Sequence, residues 1–194
     1  MIIRHHKKIP KIAESAYIAS TATICGDVHI GENTIVLHGA AIVAESGTIT
    51  IGSNCVILEN AVIRSSENHH THIGNTVLIG PHAHLVGCIV EDDVFIATGA
   101  SIFHGAKVGT RSEVRIHGIV HIKTVLDPDT TVPISWVAVD DPARMFPPDK
   151  HDEIWEVQKS LNFPFHVYGV ERPEKGHSNM DQITQKYRSI FLKK

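Results

Sequence analysis

Cysteine is scarce and poorly placed for pairing. Cys25, Cys55 and Cys88 are odd in number, far apart and free of any CxxC spacing, which argues against a disulfide framework and against a thiolate zinc site. Apolar runs fall far short of the roughly 20 residues that span a bilayer, and Met1 to Ser15 lacks the apolar core of a signal peptide. A formal charge of −3 with no basic stripe or lysine-rich tail argues against nucleic acid as a main partner. Neither GxGxxG, a P-loop nor GxSxG occurs. These absences leave a cytoplasmic chain with no membrane and no nucleic-acid partner, whose 194 residues suffice for one substantial core and an appendage.

Two things are abundant. The first is histidine, at 15 residues. Protonating all of them would add fifteen positive charges, so the chain is expected to sense pH. The second is a period of six. From Ile73 the sequence divides into blocks opening on Ile73, Ile79, Leu85, Val90, Ile96, Ile102, Val108, Val114, Val120, Leu126 and Val132. Each block opens on a branched aliphatic residue and most carry a small or β-branched one four places on. Only the block at Leu85 is short, by one residue.

Fixed-period self-similarity decides architecture before any local propensity does. A period of six is no amphipathic helix, whose apolar positions recur at three or four, and Val, Ile and Thr favour strand. Three short strands with tight corners make one 18-residue coil, and stacked coils form parallel ladders about 4.8 Å apart. The first positions then fall into three columns: Ile18, Val36, Ile57, Ile79, Ile96, Val114 and Val132; Ile24, Ile42, Ile63, Leu85, Ile102 and Val120; Ile30, Ile51, Ile73, Val90, Val108 and Leu126. No polar residue enters any of them. Cys55 holds a fifth position, where core packing accounts for it.

Two excursions add residues to the period. One runs through Glu45 to Thr48 and the other through Ser65 to Thr71; in repeat solenoids such insertions map to loops, often on the functional face. Met1 to Lys11 is a polar, basic lead-in, residues 12–139 are the solenoid domain, and residues 140–194 form a helical extension. Within the extension Asp149 and Asp152 predict a helix to about Leu161, and Asn162 to His177 is expected to be extended. Ser178 and Asp181 predict a last helix with an apolar stripe of Met180, Ile183, Tyr187, Ile190 and Phe191, and with Lys193 and Lys194 suiting its C-terminal dipole.

The shortened block Leu85-Val-Gly-Cys-Ile, the Val90-Glu-Asp-Asp-Val and Ala97-Thr-Gly-Ala-Ser blocks, and the Asp141-Pro-Ala exit resemble the hexapeptide-repeat superfamily of left-handed parallel β-helices. Within it they are most similar to the γ-class carbonic anhydrases, over roughly residues 12 to 160. The resemblance implies an all-β left-handed helix followed by C-terminal helices, assembled as a homotrimer with zinc held between subunits by three histidines. Those histidine positions fall on Arg64, Pro81 and Val86. The family's subunit-linking Arg and Asp fall on Val43 and Glu45, and its active-site Gln and following Asp on Leu58 and Glu59.

Histidines crowd the same region. His82 and His84 lie in the block that should supply a ligand, and His69, His70 and His72 in the long excursion. A relocated site of His82, His84 and His70 holding zinc or another divalent transition metal, with Glu59 or Glu45 orienting a bound water, would hydrate or hydrolyse a small-molecule substrate at a subunit interface. Two other classes stay open: a CoA-dependent acyltransferase using His69 or His70 as general base, and a trimeric scaffold without catalysis.

Overall fold

In the computed structural model, which describes the backbone of residues 1–192 and the side chains of 1–189, every predicted column is a ladder. Three parallel sheets form the faces of a left-handed β-helix of about eight turns. The first face carries Ile24, Ile42, Ile63, Leu85, Ile102 and Val120 in consecutive register, extended to Ala138. The second carries Ile30, Ile51, Ile73, Val90, Val108 and Leu126, preceded by Ile12. The third carries Ile18, Val36, Ile57, Ile79, Ile96, Val114 and Val132.

Chemistry explains the stack. The first-position side chains point inward and, from Ile24 to Val132, are almost all fully buried, forming one continuous apolar core. The fifth positions close the corners from inside. Ala40, Cys55, Ala61, Ala83, Ala100 and Ala106 are buried there. Thr34 fits the same place because its hydroxyl donates to the Gly52 carbonyl at 2.8 Å and accepts from the Cys55 amide at 3.1 Å. Cys88 takes the equivalent place in the shortened block, where burial pushes its thiol up to about 12.

The corners demand left-handed backbone. Glycine supplies it at Gly26, Gly39, Gly87, Gly99 and Gly105, but Asn33, Asn54, Asn60, Asp93, Asp129, His82 and His117 do so too. Corner geometry therefore already accounts for two of the histidines.

Ile2–Ile3, inside the expected lead-in, pairs parallel with Ile24–Cys25 and adds a strand to the first face. At the opposite end Arg144–Phe146 turns back antiparallel onto Val137–Val139 and covers that edge. The chain divides into two compact units, Met1–Lys150 and His151–Lys194. The second holds α1 (His151–Gln158, continued by a 3-10 turn to Leu161), α2 (Phe163–Tyr168) and α3 (Met180–Leu192). Helix α2 corrects the expectation of an extended segment: Asn162 takes a left-handed conformation, Pro164 sits in the first turn, and Gly169 closes the helix after six residues. In α3 Ile183 is buried while Met180 is exposed. The side chains of Ile190 and Phe191, and all of Lys193 and Lys194, lie outside the described residues.

Candidate functional site

Both excursions and the shortened block fall on one edge, the corner between the first and second faces. A six-residue period interrupted at the same corner in three successive coils stacks the interruptions on one another. Ser66 and His69 exchange backbone hydrogen bonds at 3.0 and 3.1 Å, closing the long excursion into a tight turn. Thr71 anchors its return, donating its hydroxyl to the Arg64 carbonyl at 2.5 Å and accepting from the Gly87 amide at 2.9 Å. Gly87 has φ +58°, and a Cβ there would lie 2.5 Å from the His69 Cβ. The short block thus makes room for the long excursion.

Beneath the excursions lies an ion pair. Arg64 follows the core residue Ile63 and so points outward from the first face, registered between Val43 and Val86. Its Nη2 donates to Glu45 Oε2 at 2.5 Å. The Glu45 side chain is 5% exposed and that of Arg64 34%. Glu45 Oε1 and the buried Ser65 hydroxyl find no hydrogen-bond partner among the described residues. A single contact joins the two charges, and the pairing is incomplete.

The expected ligands are dispersed. His82 is exposed on the corner between the third and first faces, with φ +58° and its amide bonded to the Glu59 carbonyl at 3.1 Å. Glu59 is exposed on the same corner, away from the buried Glu45. His84 stands half-buried on the first face, its ring edge-on to Phe103 at 6.4 Å between centroids. Burial, and then the charge of Arg64, hold its pKa below the usual imidazole value. His70 is exposed, and its Nδ1 accepts the Thr48 amide at 2.9 Å. That bond occupies the Nδ1 lone pair and turns the ring toward Thr48. Among the described residues no group of three His, Cys, Asp or Glu side chains is disposed to hold a metal ion.

The family's own zinc positions fit a metal no better. Arg64 is a permanent cation already bonded to Glu45, Pro81 has no side-chain donor, and Val86 is buried hydrocarbon. Pro81 instead helps line an apolar groove of about 320 Å³ on the third face, with Leu58, Leu78, Phe95 and Ile134, and with Glu113 and Arg115 among its polar residues.

No known protein-family profile matches the chain. It is similar to γ carbonic anhydrase 1, mitochondrial, of Arabidopsis thaliana, at 31% identity over 159 residues, 79% of this chain and 56% of that protein. A carbonic anhydrase of Geobacillus kaustophilus is 30% identical over 109 residues, 56% of this chain and 60% of that protein. The chain is a γ-carbonic-anhydrase-like hexapeptide-repeat protein. It spans little more than half the length of these relatives. A hexapeptide transferase family protein from Anaplasma phagocytophilum superposes with a TM-score of 0.54 at 24% identity, covering 82% of this chain and 90% of that one, which shows the shared fold.

The Glu45–Arg64 pair is the feature that sequence reasoning missed. The sequence places an acid in one excursion and an arginine one coil later beside the same corner, but not the bond between them.

Proposed function

We propose that this chain forms a γ-carbonic-anhydrase-like homotrimer in which the Glu45–Arg64 ion pair has replaced zinc-dependent hydration at the family's site. The 2.5 Å bond between Arg64 and Glu45 carries the reading. A guanidinium donates and never ligates. Two unit charges 4 Å apart repel by about 4 kcal/mol at an effective dielectric near 20, so a dication beside Arg64 would lose about 8 kcal/mol. Glu45 returns part of that cost, but with no donor at Pro81 or Val86 a single carboxylate, already bonded to Arg64, is the only ligand at the family's positions.

The outer surfaces of the solenoid support assembly. The third face exposes Tyr17, Ile35 and Phe95, with Ile116 and Ile134 along its corner. The second face instead presents Lys11, His29, Thr50, His72, Ile89 and Lys107 in register, polar except for the exposed Ile89. An apolar face beside a polar one favours a head-to-tail contact between copies, which closes into a ring.

Metal analysis of protein expressed with supplemented zinc, together with a carbon dioxide hydration assay, tests the reading. Far less than one metal per subunit and no hydration above buffer are expected. One metal per subunit, lost on His82→Ala or His84→Ala, would overturn it. That outcome would select a relocated site, with Glu45 or Glu59 orienting water and the remaining ligand supplied across a subunit contact.

A further inference from the structure

We infer that the open edge of the Arg64 guanidinium, on the outer surface of the first face, is a binding site for a small planar carboxylate anion. This rests on the preceding reading, because a metal at this corner would compete for the same space.

The pair does not look like a finished structural salt bridge. A buried ion pair is sustained when further hydrogen bonds satisfy its remaining lone pairs and protons. Here Glu45 uses one oxygen, and its other has no partner among the described residues. Arg64 uses one terminal nitrogen, and no other acceptor reaches its guanidinium among the described residues. The edge left over presents two parallel N–H groups, a fork that matches both oxygens of a carboxylate.

Its surroundings favour an anion over water alone. Glu45 is buried while a third of the Arg64 side chain is exposed, so the face offered outward is the cationic one. Val43 and Val86 flank it in register, and these hydrocarbon neighbours weaken solvent screening. No other acidic side chain stands on the first-face strands Val62–Ser65, His84–Val86 or Ser101–Ile102. Glu45 offsets part of the attraction, so the affinity expected is weak, on the order of 1 mM.

The test uses the full chain dialysed free of metal. Sodium acetate and, separately, sodium bicarbonate are titrated at constant ionic strength, made up with chloride, while the methyl resonances of Val43 and Val86, which flank Arg64 in register, are followed by NMR. A saturable shift is expected, at least tenfold weaker in Arg64→Lys and absent in Arg64→Met. Acetate binding alone would indicate organic monocarboxylates as the source, and bicarbonate binding alone a one-carbon anion. A shift that does not saturate, or binding unchanged in Arg64→Met, overturns the inference. Should Arg64→Met not fold, the same methyl resonances in wild type and Arg64→Lys decide it. Repeating the titration with zinc restored separates the two readings. Anion binding only with zinc overturns both, whereas metal-independent binding in a protein that also takes up zinc elsewhere overturns only the earlier one.

Discussion

Glu45 and Arg64 are unequal partners, because one is buried and the other can reach water. Removing the arginine strands a carboxylate inside the corner; removing the acid leaves a cation that swings into solvent. Arg64→Met should therefore cost about 3 kcal/mol, the lower end for breaking a buried pair, and Glu45→Gln only about 1 kcal/mol. Glu45→Gln combined with Arg64→Met should recover much of the larger loss, since a corner without charges strands no ion. Chemical denaturation of the four proteins reads this as a coupling energy. Equal single-mutant losses with additive behaviour would show that the two side chains do not depend on each other.

At the scale of the element, the long excursion is held by its neighbours rather than by its own sequence. Gly87 accepts it through a positive φ, an amide bonded to Thr71, and the space a Cβ would fill. Gly87→Ala combines backbone strain with overpacking and should destabilise the chain by about 1–3 kcal/mol. Faster amide exchange at Ser66, His69 and Thr71 than in the coils above and below would place the loss there, and uniform exchange would contradict it. Here also lies the boundary of what was legible in the sequence. The columns were readable because each ladder neighbour is a branched aliphatic at a fixed spacing, and the excursions were readable as departures from it. The Glu45–Arg64 bond was not, because it depends on which outward side chains the register stacks and on a corner that two insertions reshape. Helix α2 was hidden by its brevity and its proline, since six residues between a left-handed Asn162 and Gly169 carry no periodic pattern. Ile2–Ile3 joined the first face without any repeat of its own, simply because an open strand edge accepts a short apolar partner.

For the whole molecule, acid weakens the solenoid before it reaches the carboxylates. His121 lies half-buried beside Phe103, and burial holds its pKa down to about 4. Between that value and the ordinary imidazole value near 6.5 the unfolded chain binds the extra proton and the folded chain does not, so stability falls as pH drops through this window. His84 acts in the same direction. Glu91, held at about 2 chiefly by its bond to Lys107, adds a second loss as pH falls from about 4.5 toward 2. Denaturant midpoints measured from pH 8 to pH 3 should show the upper limb flattened in His121→Phe. An unchanged limb would mean that other histidines govern it.

Assembly is the remaining property of the whole molecule, and the third face makes it testable. Tyr17, Ile35, Val56, Leu78 and Phe95 stand on neighbouring strands in register, forming an outward stripe that contributes nothing to the internal core. Phe95 is 42% exposed, so a charge there meets water in a single chain but is buried without a partner once a second copy covers the face. Phe95→Glu puts a like charge opposite Glu113 in register and should therefore cost the single chain only about 1 kcal/mol, while light scattering shows a trimer falling to monomer. The same trimer mass in wild type and variant would move the subunit contact away from this face. A wild-type monomer would remove the trimer altogether, leaving the Arg64 edge to be judged by its anion titration alone.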